Sequence, residues 1–141
     1  MIEYKVYPLA WLYSAKKKEK SPHFTVRVSD TKELMIQDIE SISGSTMTRS
    51  DRQNLDGYFI GFIQKKSPMG HIFASKQTYS TGLIAHEAVH MAALYYRNFS
   101  TSDSSFTFTE DVPEVGVEEF IAYSVGEIVN QVEELVNASK N

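Results

Sequence analysis

The stretch STGLIAHEAVHMAALYYR, residues 80–97, decides how the sequence is interpreted. Ser80 or Thr81 suits the N-cap of a helix, because a side-chain hydroxyl can accept a hydrogen bond from the free amides of the first turn. Apolar residues then recur at helical intervals, so we predict a helix that ends near Arg97 and directs one face to the core. These apolar positions are Leu83, Ile84, Ala88, Met91, Ala92 and Tyr95.

Two histidines lie four residues apart in this helix. Residues at that spacing stand one above the other on the same face, so the imidazoles of His86 and His90 can be directed at one ion. Zinc accepts neutral imidazole and tolerates a third protein ligand and a water, and Glu87 is placed to deprotonate that water. The HExxH pattern therefore predicts a divalent-metal site, with zinc preferred over manganese and iron. The alternative is a helix with two solvated histidines and a surface glutamate.

The composition narrows the choice of ligands and partners. We predict a single domain over residues 1–141, because the chain is long enough for one core. It contains no cysteine, so imidazole and carboxylate must bind any metal. A formal charge of −4 and scattered basic residues argue against a nucleic-acid partner. There is no secretory signal pattern and no apolar run of about 20 residues, so we expect a cytoplasmic location and no membrane partner.

The first half of the chain predicts a small sheet. Residues 2–13 and 23–28 are rich in β-branched and aromatic side chains, and a hairpin is the simplest connection between them. Residues 57–64 and 70–77 flank a Lys-Ser-Pro-Met turn in the pattern of a second hairpin. We therefore expect about four strands in a mainly antiparallel sheet.

Two further helices complete the predicted fold. Residues 29–33 resemble a capping box, and apolar residues then predict a helix over 31–42. Residues 43–56 lack an apolar period and are predicted as a loop, as are residues 99–112. Pro113 suits the first turn of a long C-terminal helix. The expected fold class is α+β, with a small mainly antiparallel sheet packed against the histidine-bearing helix and the C-terminal helix.

A catalytic zinc site needs a third protein ligand, and the C-terminal helix offers two candidates. At about 100° per residue, Glu118 lies nearer the apolar stripe of that helix. Glu119 shares a face with Ala122 and Gly126, small residues that would let two helices approach closely. We choose Glu119 as the third ligand, with Glu118 as the alternative.

The segments HEAVHMAA, residues 86–93, and EEFIAYSVG, residues 118–126, together resemble the signature of a known group. Small uncharacterised zincin-like proteins encoded by phages and prophages carry HExxHAA followed by a Glu-xx-Ala-Tyr-xx-Gly segment. The resemblance implies a metallopeptidase-like fold and supports Glu119 as a ligand, and this chain departs from the signature at Met91. The matching residues are His86, Glu87, His90, Glu119, Ala122, Tyr123 and Gly126.

Peptide-bond hydrolysis is the function that these residues predict. Zinc held by His86, His90 and Glu119 would polarise the carbonyl and activate a water, and Glu87 would act as general base. Tyr123 could donate to the developing oxyanion, although helical aromatic residues more often belong to the core or its rim.

The substrate or partner is expected to be a protein or peptide. The strand at 70–77 directly precedes the histidine-bearing helix and could pair with an extended peptide, or it could be a strand without a ligand role. His71 and His23 are interpreted as strand residues outside the metal site. The competing hypothesis is a non-enzymatic module on a zincin-like scaffold that binds or modulates host proteins.

Overall fold

A four-stranded sheet with the order β1-β2-β4-β3 forms the centre of the protein in the computed structural model. The structure describes residues 1–8, 22–64, 66–99, 105–106 and 115–139. The strands of the sheet are β1 (Ile2–Val6), β2 (Phe24–Ser29), β3 (Tyr58–Gly61) and β4 (Gly70–Ser75), and a separate antiparallel pair consists of β5 (Ser105–Phe106) and β6 (Val115–Gly116).

The sheet is mixed, although two of its three pairings are antiparallel. The pairs β1–β2 and β3–β4 are antiparallel, as the two predicted hairpins require. The central pair β2–β4 is parallel, with Val26 opposite Ile72, and the sequence did not predict it. The second half of the predicted first strand and the connection to β2 lie outside the described residues.

Four helices are described. Helix α1 (Lys32–Ser43) confirms the predicted helix, with the Thr31 hydroxyl accepting a hydrogen bond from the Leu34 amide at its start. It ends at Gly44, whose φ of 73° is left-handed and suits a residue without a side chain. The others are α2 (Arg49–Asn54), α3 (Thr81–Phe99) and α4 (Val117–Ser139).

Helix α2 corrects the loop predicted over residues 43–56. It buries no residue, so it lacks the apolar periodicity that would have indicated it. Local polar contacts stabilise it instead. The Thr48 hydroxyl accepts from the Asp51 amide at 3.1 Å, and Arg52 donates to Glu40 of α1 at 2.7 Å.

The sheet lies between two layers of helix. Its inner face packs on α3 and α4, with Ile72 and Ala74 of β4 in the main core. Its other face packs on α1, where Phe73 contacts Met35 and Ile39. Every residue of β4 is buried, because this strand has a neighbour on each side and a helical layer on each face.

Helices α3 and α4 are antiparallel. Near one end of the pair, the ring of Phe120 lies 5.9 Å from that of Tyr95. Near the other, Glu133 accepts hydrogen bonds from the hydroxyl of Thr81 and from that of Tyr79, just before α3, at 2.5 and 3.0 Å. Burial and this contact raise the pKa of Tyr79 to about 12. The described part of the chain has no helix with the length and apolarity needed to cross a membrane.

Helix α4 also holds the end of β1. The side-chain amide of Gln131 accepts from the backbone N–H of Tyr7 and donates to its carbonyl, both at 2.9 Å. The helix begins at Val117, and the predicted first residue Pro113 lies outside the described residues. Its buried positions among the described residues are Phe120, Ser124, Ile128 and Val132.

Candidate metal centre

The two histidines of the motif lie on one exposed face of α3. The Ser80 hydroxyl accepts from the Leu83 amide at 3.0 Å, which confirms the predicted capping position. Two turns further on, the ring centroids of His86 and His90 are 5.2 Å apart. Both side chains are open to solvent, so an ion from solution can reach their nitrogen atoms. This arrangement fits the capture of one ion by two imidazoles.

Glu87 has a different environment from the histidines on either side of it. Only 7% of the residue is exposed, because it lies on the flank of α3 that turns towards the sheet. Its Oε1 lies 4.0 Å from His86 Nε2, too far for a direct hydrogen bond. Burial raises the pKa of the Glu87 carboxyl, and the nearby imidazoles of His86 and His90 partly oppose that rise. A buried carboxylate with a raised pKa beside open imidazoles is typical of a general base.

Strand β3 supplies the opposite wall of the site. The ring of Phe59 is stacked on that of His90, with centroids 6.2 Å apart and planes 8° apart. Tyr58, Phe59, Glu87 and His90 line a cleft of about 200 Å³. The Glu87 carboxyl and the His90 imidazole therefore open into the same cleft.

The strand position expected for a substrate needs correction. Strand β4, which covers most of the predicted 70–77 strand, lies inside the sheet with β2 and β3 as neighbours, so no peptide can pair with it. The edge strand beside the histidines is β3. The sequence predicts that these two strands form a hairpin. Which of them lies at the edge of the sheet depends on the strand order, which the structure supplies.

The structure does not bring Glu118 or Glu119 to the histidine pair. Both are exposed on the first turn of α4. The next residue, Phe120, packs on Tyr95 and Tyr96, which lie roughly 8 to 9 Å beyond His90 along the axis of α3. At about 100° per residue, these tyrosines are also more than 100° around the helix from His90.

The close helix approach that favoured Glu119 over Glu118 does not occur at Ala122 and Gly126. Ala122 and Gly126 are exposed, and a Cβ added at Gly126 would meet nothing within 4 Å. These small residues do not mark a close approach between helices, which instead takes place on the side of Phe120 and Ser124. Tyr123 is 54% exposed and does not line the cleft at Glu87.

The donor set fits a metal in part. His86 and His90 are brought together, whereas no group of three His, Asp or Glu side chains able to hold an ion occurs among the residues that the structure describes. Glu119 stays a prediction from the sequence. Comparisons with models of protein families, with curated proteins and with solved structures found no match to this chain. A function for this chain is therefore inferred from the geometry of this face.

Tyr58 and Phe59 were missed in the sequence. Both belong to a predicted strand, and their aromatic side chains suit either a core or a cleft. The pairing of β3 with β4, whose end leads into α3, places them beside His90. The short connection between β4 and α3 was the available signal in the sequence. It keeps α3 close to β4, and therefore close to β3, the partner of β4 in the predicted hairpin.

Proposed function

We propose that this chain is a metal-dependent peptidase of the zincin type, with zinc as the metal. The observation that carries the proposal is the meeting of His90 and the buried Glu87 at one cleft beside β3. Two imidazoles on one helix face offer a binding site for the ion, and a buried carboxylate next to them offers a base.

Zinc, when bound, supplies a Lewis acid that activates water and polarises a carbonyl. His86 and His90 would hold it through neutral imidazole nitrogens. Glu87 would take the proton of the attacking water at its carboxylate and pass it on to the leaving amine. Its burial on the flank of α3 favours that role, because a carboxylate shielded from bulk water is the stronger base.

A peptide substrate is proposed on the shape of the surroundings. The cleft lies between α3 and β3 and is open to solvent, so an extended chain can lie against it without entering a closed chamber. Its walls are mostly apolar and aromatic, which suits peptide side chains better than a small charged metabolite.

Metal analysis of the purified protein tests the site. Protein prepared without added zinc should take up about one equivalent of Zn²⁺, and His86→Ala and His90→Ala should each weaken binding at least tenfold. His23→Ala is the matched control, since His23 lies at the start of β2 and belongs to no part of this face. Unchanged zinc uptake in the double variant would overturn the site.

Hydrolysis is tested separately from metal binding. Glu87→Gln keeps the size of the side chain and removes the base, so it should abolish cleavage of a peptide library while zinc content and melting temperature are retained. Persistent cleavage in that variant would assign the activity to a different mechanism.

The third ligand can be settled with a matched pair. Glu119→Gln should weaken zinc binding by more than tenfold if Glu119 is a ligand, and Glu118→Gln should then leave it unchanged. Both residues are exposed, so neither substitution is expected to disturb the fold.

The second candidate function is a non-enzymatic protein-binding module on the same scaffold. The exposure of Glu118 and Glu119, away from the histidines, favours it, because a site with two protein ligands binds zinc more weakly than one with three. Under this hypothesis Glu87→Gln leaves the biological effect of the protein intact.

A further inference from the structure

A second cleft continues from His90 towards the C-terminal end of α3, with a volume of about 360 Å³. It shares Phe59 and His90 with the cleft at Glu87, so the two clefts adjoin at these residues, and together they are called the groove. The α3 wall consists of His90, Ala93, Leu94 and Arg97. Their spacing of three and four residues places them in one stripe along the helix.

The other wall follows the chain from β3. Phe59 lies beside His90 and Gly61 lies beside Leu94, so strand and helix run side by side in the same direction. A Cβ at Gly61 would come within 2.5 Å of Leu94 Cδ2, which shows how closely the two walls approach. Beyond β3, Ile63 lines the far end of the groove and is 95% exposed.

The side chain of Asn98 fixes this far end. Its amide nitrogen donates to the carbonyls of Phe62 and Gln64, both at 3.2 Å. These bonds join the last turn of α3 to the segment after β3. The separation of the two walls is therefore held by the hydrogen bonds of the Asn98 side chain at the far end and by packing at Gly61.

Arg97 gives the groove a positive end. It is exposed, and no ion pair involves it among the residues that the structure describes. The seven residues from His90 to Arg97 correspond to about 10 Å along the helix axis. Arg97 lines this cleft, and side chains of a helix lean towards its N-terminus, so the guanidinium can reach back over the groove.

We propose that this groove binds the C-terminal end of a peptide, with a free α-carboxylate at Arg97 and an apolar side chain against Ile63 and Leu94. An extended chain advances about 3.3 Å per residue, so two or three residues span the distance from His90 to Arg97. The guanidinium offers a planar pair of donors that matches a carboxylate.

The α-carboxylate is favoured over an acidic side chain because of its direction. The α-carboxylate is in line with the backbone of an extended peptide. In a peptide that lies along the groove, it is therefore directed towards Arg97. Side chains alternate to opposite faces of an extended chain and point away from its backbone. The substrate class is therefore a peptide with an apolar C-terminal region, from which a fragment of two or three residues is released. This specificity rests on the proposed function, whereas binding at Arg97 does not require hydrolysis.

Binding is measured by fluorescence anisotropy on zinc-loaded Glu87→Gln protein, which holds the peptide without turnover. The probe is an N-terminally labelled Ala-Ala-Leu-Leu peptide with a free carboxylate, compared with its C-terminal amide. The acid should bind about three- to tenfold more tightly than the amide, and adding Arg97→Gln should remove the difference. Arg49→Gln is the control, because Arg49 is an exposed arginine on α2.

Equal affinity for acid and amide, or a difference that survives Arg97→Gln in a protein with unchanged melting temperature, overturns the proposal. A third peptide, amidated and with glutamate as its last residue, tests the source of the carboxylate. If it binds as tightly as the acid, the assignment to the chain terminus is wrong.

Cleavage by the wild-type protein separates this inference from the proposed function. Release of two- or three-residue fragments from the acid and not from the amide supports both. Tight, Arg97-dependent binding without any cleavage supports the groove and contradicts the peptidase. Cleavage at internal positions that is indifferent to the terminus and to Arg97→Gln supports the peptidase and contradicts the groove.

Discussion

The imidazole of His90 lies almost parallel to the ring of Phe59, with 8° between the planes and 6.2 Å between the centroids. This contact restricts the orientation of an imidazole that is otherwise exposed. Phe59→Ala removes the ring that orders His90. The free energy of zinc binding should become about 0.5 to 1.5 kcal/mol less favourable, which corresponds to roughly two- to tenfold weaker zinc binding. Isothermal titration with Zn²⁺ measures it.

Phe59→Tyr is the control for that titration, because it keeps the aromatic face. It should bind zinc as the wild type does. Equal affinity in Phe59→Ala and wild-type protein would show that the stacking does not orient His90.

Removing the ion pair between β2 and α1 should lower the stability of the protein. Arg27 donates to both carboxylate oxygens of Asp38, at 2.8 and 2.9 Å, and also pairs with Glu3 of β1. Both partners are largely buried, so Asp38→Ala should lower the free energy of unfolding by about 1.5 to 3 kcal/mol. Urea denaturation measures it. The exposed pair Lys76–Asp30 is the control, and Asp30→Ala should leave the midpoint nearly unchanged.

The burial of His71 should make the stability of the protein depend on pH. Burial, and then the charge of Arg27, lower the pKa of His71, whose Nδ1 is hydrogen-bonded to the Thr25 hydroxyl. In the unfolded chain, the His71 imidazole binds a proton near its ordinary pKa of about 6.5, whereas in the folded protein its pKa is lower. More protons are then bound in the unfolded state, so stability falls as the pH is lowered through about 6.5.

Urea midpoints between about pH 5 and 7.5 measure this slope. His71→Gln should make it shallower, whereas Thr25→Val, which keeps the histidine, should retain it. An identical slope in His71→Gln would assign the acid sensitivity to other groups, such as His23, whose pKa burial also lowers.

Two glycines predict opposite effects of the same substitution. Gly126 lies inside α4 in open space, so Gly126→Ala should stabilise the protein by about 0.5 to 1 kcal/mol. Gly61→Ala places a methyl group against Leu94 and should destabilise by about 1 kcal/mol or more. Thermal melting compares them. A destabilised Gly126→Ala protein would indicate that α4 does pack closely at that position.

The elements with local signals could be predicted from the sequence. The capping box at residues 29–33, the cap at Ser80 or Thr81 and the apolar periods behind them predicted two helices. Both hairpin pairings were also predicted, the first as the simplest connection and the second from its turn residues. Helix α2 was not predicted, because its only local signal is the Thr48 cap and it has no apolar period, while the contact of Arg52 with Glu40 depends on α1.

Strand order and the composition of the site required the tertiary structure. The parallel pairing of β2 with β4 joins segments that are far apart in sequence, and it makes β3 the wall beside His90. The small residues Ala122 and Gly126 suggested a helix contact, because small side chains suit both a close interface and an open surface. The sequence pattern of α4 did not decide between a close interface and an open surface. The structure does, because Ala122 and Gly126 are exposed.

The two hydrogen bonds between Gln131 and the backbone of Tyr7 join residues 124 positions apart. Synthesis on the ribosome proceeds from the N-terminus, so β1 exists long before the side chain that holds its end. Until Gln131 has left the exit tunnel, the buried faces of α3 and the sheet lack their cover and remain exposed to water and to other chains. A nascent chain stalled before α4 has left the tunnel should therefore be protease-sensitive and bind chaperones, and emergence of α4 should end both.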